Sequence, residues 1–512
     1  MQNNSLKSQH IAIIGAGVSG ISAARVWQKC GYSVTIYEAS DQIGGQWNMT
    51  YPGVRLQNTA PQYQFSDFPW PFTPDRHPTG EQVLKYMHAA VAAYGIEVKL
   101  NHKVTQMVKQ DIGWQLTFEN GTQGDFAYVM IATGQYPGGD KKHKPRFENI
   151  DSYRGEVVTN INSKEVFKDK HVAVVGFGKT ALDFAAWSGA VAQSTQHIFR
   201  TPRWTIPDHL LGIDYTRPFF SRFGSDMMPS WCHSSLIQNL LHKKLTFVVK
   251  SFWGFIATLF QYQHRKDAKL GTLDPSVLDL VFPPKSQFVP DLRSASAVAP
   301  NHYYEYVAHQ RIIPYRGEVA SFFEHGLILS DGQKIEADMV CICCGNEAPT
   351  NGFLPETYAQ YLRVHGGPSL YRHQIDPRIP DLGFAGYNHG FMHIALCEMG
   401  TLWQIAAHQK DLQLPSETEM LASAQRVSQW KIAHSSYEST FNIAVSTRYQ
   451  QHLDILLQDL GISQWRKLPN VPAEIFARYD PTDYKGVVEE YLAKSAKRKA
   501  KGQVKHVMPV DA

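Results

Sequence analysis

Two stretches, HIAIIGAGVSGISAA (residues 10–24) and HVAVVGFGKTALDFA (residues 171–185), predict an α/β protein with two Rossmann-like dinucleotide-binding domains. Each reads as an apolar strand, a glycine turn and the start of a helix. A third observation adds a helical subdomain to this fold class: residues 205–300 are rich in aromatics and proline and lack a βα rhythm.

In the first unit, His10–Ile14 is apolar with little alternation, as in a central parallel strand buried on both faces. Gly15, Gly17 and Gly20 follow at GxGxxG spacing. Gly15 permits the tight turn, Gly17 lets backbone approach a pyrophosphate, and Gly20 lets helix and strand pack closely. Residues 21–28 read as helix and 32–37 as the next strand. Glu38 closes that strand, 18 residues after Gly20. A carboxylate there accepts hydrogen bonds from an adenosine ribose and repels a 2′-phosphate.

The second unit repeats the device with the terminal charge inverted. Gly176 and Gly178 make the turn, and Ala181 takes the third position at the smallest cost in side-chain size. Lys179 and Thr180 open the helix within reach of phosphate, although a surface lysine would read the same. The next strand, 195–199, ends in Arg200. Gly15 to Glu38 spans 23 residues and Gly176 to Arg200 spans 24. A guanidinium at that end suits the 2′-phosphate of NADP, with Arg203 able to assist; the plainer alternative is a solvated arginine at the end of a sheet.

The chain has 512 residues, enough for two or three domains, and its 43% hydrophobic and 19% charged residues mark a folded, not a disordered, protein. A net charge of +4 gives nucleic-acid binding no support. The six cysteines form no CxxC pair, and VCICCG (340–345) reads as a buried apolar run, so neither a disulfide framework nor a metal site is expected. No secretory signal is visible, and a cytoplasmic location is the default. The apolar run 245–260 is 16 residues long and contains Lys250, short of the roughly 20 a spanning helix needs. It reads as a buried or tunnel-lining helix; a peripheral membrane contact is the alternative, and a homodimer is compatible with the sequence.

Further motifs carry a resemblance. DQIGGQWNM places Gly44, Gly45 and Trp47 directly after the acid, similar to the GGxW element of flavin-containing monooxygenases. VMIATGQYPG resembles that family's ATG strand through Ala132, Thr133 and Gly134. LQNTAPQYQFSDFPWP resembles its asparagine segment, with Asn58 as the asparagine and 67–71 as the DFPxP turn. ADMVCICCGNEAP (337–349) stands where a second ATG-like strand is expected, with only Gly345 retained. ALCEMGTLWQIA supplies Glu398 and Trp403 at the family's return to its first domain. The chain thus resembles, from about residue 10 to about 485, the flavin-containing monooxygenase family, within the wider group that includes the Baeyer–Villiger monooxygenases.

The resemblance implies FAD in the first unit and NADPH in the second, with the NADP domain inserted into the FAD domain. The corresponding boundaries are 1–155 and 322–440 for the FAD domain, 156–321 for the NADP domain with its helical insertion at 205–300, and 441–512 for a C-terminal helical segment with a basic tail. Turns at 119–121 and 330–332 predict a small antiparallel attachment on each domain. One departure matters. The family's FxGxxxHxxxY/W fingerprint is matched by Tyr153, Gly155 and Phe167, but its histidine is absent: Thr159 or Asn162 stands there, and neither titrates near neutral pH.

By resemblance, the activity is an NADPH-dependent flavin monooxygenation, in which O2 is used through a C4a-(hydro)peroxyflavin to oxygenate a small, apolar or aromatic substrate. Asn58 then holds a positioning role near the flavin, since an amide has no useful pKa; as a buried amide capping a turn it would be purely structural. Residues 205–300 read as a lid or a partner surface. His389 and His393 are four apart but have no third metal ligand in sequence, and read as cavity-lining residues. A single-component flavin-dependent halogenase and a non-catalytic flavin-binding protein are the alternatives. A disulfide reductase would need a redox cysteine pair, which is not evident.

Overall fold

The computed structural model describes residues 10–134, 147–232, 235–294, 297–345, 351–434 and 441–507. In chain order the site-bearing elements start with β1 (His10–Ile14), α1 (Val18–Lys29), β2 (Ser33–Tyr37), β3 (Glu97–Lys99) and β4 (Tyr128–Ile131). There follow β5 (Glu156–Val158), β6 (His171–Val175), α2 (Lys179–Val191), β7 (Ser194–Phe199), α3 (Thr246–Asp267), β8 (Ile312–Arg316) and β9 (Met339–Ile342). The chain ends through β10 (Leu382–Phe384), α4 (His393–His408) and α5 (Tyr449–Leu460).

Two five-stranded sheets result, in the orders β10-β4-β1-β2-β3 and β8-β7-β6-β9-β5. All pairings in both are parallel, so each sheet needs helices on its faces to bury its strands. The glycine-turn strands β1 and β6 occupy the same place, flanked by the following strand on one side and a late-arriving strand on the other. Ile11, Ala12 and Ile13 in one, and Val172, Ala173 and Val174 in the other, are wholly buried. Each such side chain contributes up to roughly 1.5–3 kcal/mol of burial where it is large. A three-stranded antiparallel sheet stands before each late strand, at residues 104–126 and 319–336. Their turns fall where 119–121 and 330–332 placed them.

Two expectations are corrected, and the C-terminal tail takes a form the sequence does not specify. The resemblance places residues from 322 onward in the first unit, but β9 pairs with β6 and β5, so the second unit keeps the chain to at least Ile342. The run at 245–260 forms α3, whose Val249, Trp253, Ala257 and Phe260 are buried while Phe247 and Phe255 face outward. It is half-buried, not buried. The basic tail is folded back on the body: its helix Val487–Ala500 places Lys499 2.8 Å from Asp411, and Lys505–His506 pairs with Leu412–Gln413. Residues 135–138 and 346–349 of the ATG-like segments lie outside the described residues.

Candidate functional site

Both glycine turns are built by the same contacts. Gly15 N–H donates to Tyr37 O at 2.8 Å, and Gly176 N–H to Ile198 O at 2.9 Å. A Cβ on Gly15 would stand 2.6 Å from Ala132 O, and one on Gly176 would stand 2.4 Å from Cys343 O. Both residues have positive φ, +112° and +122°. Each turn is therefore pressed against the strand that crosses beside it, and only glycine fits. A Cβ on Gly20 would meet Gly15 O at 2.0 Å, whereas Ala181 sits wholly buried at the matching place, so the second helix stands far enough off to admit a methyl group.

The helices α1 and α2 start from Gly17 and Gly178, both extended, with no side-chain cap and no acid in the first turn. Their first N–H groups and the positive ends of their dipoles are left for an anion. Gly44 N–H donates to Ala16 O at 3.0 Å and folds Gly45 over the first turn, so that a Cβ there would lie 3.0 Å from the Gly17 Cα. A Cβ on Gly178 would meet nothing within 4 Å. Both turns thus fit the close backbone approach of a dinucleotide pyrophosphate. Trp47 is half-buried and donates Nε1–H to Tyr63 Oη at 3.0 Å. Thr133 is exposed at the end of β4, and Gly134 follows with φ +81°.

Glu38 lies at the end of β2, where its Oε2 accepts from Ala16 N–H at 2.7 Å and Oε1 from Ser40 N–H at 2.9 Å. The carboxylate is thereby fixed against the turn. Strand register sets Phe199, not Arg200, opposite this position, because Ile14 pairs with Tyr37 as Val175 pairs with Ile198. Arg200 is one step further, 70% exposed, and only 3.7 Å from the exposed Glu318, so its guanidinium is open to solvent. Arg203 is turned away: its Nη1 lies 3.2 Å from the fully buried Asp291, which corrects its expected part in phosphate binding. Lys179 is likewise occupied, 2.6 Å from Asp183, which also accepts from Tyr51 Oη at 2.8 Å; Thr180 beside it is half-buried.

Asn58 is buried and donates Nδ2–H to Phe391 O. Its loop is gripped by the inserted subdomain. Tyr215 Oη donates to Gln57 O at 2.5 Å, Val298 N–H to Gln57 Oε1 at 3.2 Å, and His77 bridges Leu56 O at 3.0 Å and Asp208 at 2.9 Å. Burial alone would raise the Asp208 carboxyl, but hydrogen bonds from His77 and Arg76 hold it at about 2. On the far side of Phe391 lies a small apolar cavity lined by Tyr215, Phe219, Phe220, Met228, Phe391 and Tyr449. Phe391 therefore joins the asparagine to the cavity wall.

His393 is directed elsewhere. Its Nε2 lies 2.9 Å from Ser19 Oγ in the first turn of α1, and burial pushes its pKa to about 3. His389, 5.2 Å away ring to ring, is exposed to solvent. His393 is a neutral imidazole beside the first turn, and neither histidine lines the apolar cavity. Glu398 on α4 is buried; its Oε1 accepts from Ser66 N–H at 3.1 Å while Oε2 has no hydrogen-bond partner among the described residues, and burial raises its pKa to about 7. Among the described residues, no three His, Cys, Asp or Glu side chains form a group able to hold a metal ion.

Sequence reasoning missed His197, whose Nε2 lies 2.7 Å from Gly176 O and whose Nδ1 lies 2.9 Å from Tyr303 Oη, pinning the second turn. Its place two residues before the end of β7 was the available signal. It also missed Tyr449, which reaches the cavity from a helix with no motif; Tyr215 and Phe220 lay in the aromatic-rich section already singled out.

The family described as pyridine nucleotide-disulphide oxidoreductase matches residues 11–209. A probable flavin-containing monooxygenase 1 of Arabidopsis thaliana is 28% identical, with 95% of this chain and 98% of that protein covered. A 4-hydroxybenzoate brominase (decarboxylating) of Marinomonas mediterranea is 22% identical over 88% of this chain and 84% of its own. The cyclohexanone-bound structure of cyclohexanone monooxygenase shares the fold, with a TM-score of 0.65 and 15% identity over 88% of this chain and 96% of that one. By sequence along nearly its whole length, and by its paired nucleotide folds, this chain is a relative of the flavin-containing monooxygenases.

Proposed function

We propose that this protein is an FAD- and NADPH-dependent monooxygenase that uses O2 to oxygenate a small apolar organic molecule. The observation that carries the reading is the pair of uncapped glycine turns with opposite charges behind them, Glu38 fixed at one and Arg200 open at the other. FAD, when bound, supplies hydride acceptance from NADPH and the activation of O2.

The chain's own residues bind, orient and exclude water. The α1 N-terminus and the Gly45 backbone receive the FAD pyrophosphate, and Glu38 takes the adenosine ribose, a role that means exchanging its Ser40 contact for ribose hydroxyls. The α2 N-terminus receives the NADPH pyrophosphate, with Arg200 on its 2′-phosphate. Asn58 positions the reacting groups: its amide cannot exchange a proton usefully, and Phe391 O fixes its orientation. The aromatic walls of the cavity keep bulk water from the substrate. Trp47, Thr133 and Gly134 flank the FAD groove, and Glu398 supports the loop behind it by accepting from Ser66 N–H.

Purified holoenzyme is assayed under air for NADPH and NADH oxidation, with sulfides, amines, ketones and indoles, each with and without bromide. Substrate-dependent NADPH consumption with an oxygenated product supports the reading. A preference for NADH of ten-fold or more removes the Arg200 assignment, and brominated product in place of oxygenated product assigns a halogenase.

A further inference from the structure

The outer face of α3 and the short turns before it form an apolar surface that the fold leaves uncovered. Leu236 is 88% exposed, Phe247 65% and Phe255 61%, with Ile237, Leu240 and Val248 exposed beside them. The patch continues onto a remote part of the chain: Phe223 lies 5.9 Å from Phe252 and 5.8 Å from Phe476, which is itself 64% exposed. Soluble surfaces rarely gather so many large apolar side chains in one place.

The Asp, Glu, Lys and Arg positions among residues 235–266 are all Lys or Arg, while the half-buried Asp226 at the edge of the patch accepts from Gln238 Nε2 at 2.6 Å. Between Asp226 and Asp267 the sequence contains no Asp or Glu, while Lys243, Lys244 and Lys250 are exposed among the apolar residues. Glu474, the acid on the neighbouring segment, is buried against Arg222 at 2.7 Å. No helix among the described residues is long and apolar enough to cross a membrane, and the inner face of α3 is buried in the core, so the helix cannot leave it to span. An apolar face rimmed by lysines, fixed on a folded body, has the chemistry of an interfacial helix.

We propose that this face docks the enzyme on an anionic lipid surface, with Leu236, Phe247 and Phe255 entering the acyl boundary and Lys243, Lys244 and Lys250 meeting the headgroups. Lysines so placed add attraction to anionic leaflets, and the contact is weakened by salt. The inner side of the same helix packs Trp253 and Phe260 against Phe219, a wall of the apolar cavity, at 6.1 and 5.9 Å. The docked face and that cavity are thus separated by a single helix. Docking itself does not depend on the reaction proposed above.

Flotation of the holoenzyme is measured with vesicles of phosphatidylcholine alone and of phosphatidylcholine with phosphatidylserine, at low and high salt. The wild type floats with the phosphatidylserine vesicles at low salt. The pair Phe247→Ser/Phe255→Ser and the triple Lys243→Gln/Lys244→Gln/Lys250→Gln each lose at least about ten-fold in vesicle partition. Flavin content and vesicle-free NADPH oxidation equal to the wild type show that the variants are folded. A wild type that ignores both vesicles, variants that bind as well as it does, or a solution dimer that the Phe247→Ser/Phe255→Ser pair splits into monomers would each overturn the proposal, the last by assigning the face to a second copy.

Discussion

Arg200 and Arg203 stand three residues apart and have opposite fates, which decides how coenzyme choice is tested. Arg203 is held inward by the buried Asp291, which also accepts from Trp204 N–H at 2.9 Å, whereas Arg200 has, among the described residues, a long, exposed contact to Glu318. Losing a charge-assisted bidentate contact costs enough to raise KM for NADPH roughly 10–100-fold in Arg200→Ala, while KM for NADH stays unchanged. Steady-state oxidation of the two coenzymes reads the split. A second residue-scale consequence concerns Glu398. Its folded pKa, raised by burial to about 7 from 4.5, means that its proton is held more tightly in the folded state. The stability this brings is fully present below pH 4.5 and is lost as pH rises to about 7. Glu398→Gln keeps an acceptor for Ser66 N–H and cannot ionise. Its melting temperature should exceed that of the wild type at pH 8, by an amount equivalent to about 3 kcal/mol, and the two should converge toward pH 4.5. Equal pH profiles for the two proteins would remove the buried charge from the account.

The glycine turn is the element in which sequence and structure agree most closely, because its constraints are local. Strand, turn, helix and second strand are all set within about 25 residues by apolar pattern and by backbone that only glycine adopts. What the sequence left open is non-local. Nothing in MVCI tells whether β9 joins β1 or β6, since any buried parallel strand reads alike; pairing with β5 and β6, more than 160 positions upstream, decides it. Nor could Arg203 be separated from Arg200, because the partner that turns it inward is 88 residues away. The periodicity of α3 suggested burial because large apolar residues occur all around it, and only the packed structure shows which face stays out. The cavity was foreshadowed by the aromatics near 219 but closed by Tyr449, from an element without a motif. The two turns also predict different responses to one methyl group. Gly15→Ala forces a Cβ to 2.6 Å from Ala132 O at φ +112°, a strain of at least about 1–3 kcal/mol, and should give a protein with a lowered melting temperature that retains little flavin. Gly178→Ala has an ordinary extended backbone and open space, so its melting temperature should match the wild type while KM for NADPH rises. Thermal denaturation and coenzyme titration of both variants distinguish strain from lost phosphate approach.

Across the whole molecule, the cavity wall is held by an ion network that joins distant parts of the chain. Arg222, in the inserted subdomain, is buried with Nη1 2.7 Å from Asp454 of α5 and Nε 2.7 Å from Glu474. It also donates to Gln464 O at 2.9 Å and lies under the Trp465 ring, 4.5 Å from its centre. One guanidinium thus satisfies two buried carboxylates, and the subdomain and the C-terminal helices share it. Next to this network Phe220 packs on Tyr449 at 5.4 Å, and both line the cavity. Replacing the arginine by methionine, which keeps much of its length, leaves Asp454 and Glu474 buried without their cation. Breaking a buried pair from one side costs about 3–5 kcal/mol, far more than the pair is worth against an apolar replacement of both partners. Arg222→Met should therefore show a urea midpoint well below the wild type. If that cavity holds the substrate as proposed, the variant's residual enzyme should consume NADPH with a larger share diverted to hydrogen peroxide, because the cavity wall is loosened. Arg222→Lys retains one charge but not the fork, and should fall between the two. A destabilised Arg222→Met enzyme with wild-type coupling of NADPH to product would separate the network from the cavity and leave it a role in stability alone.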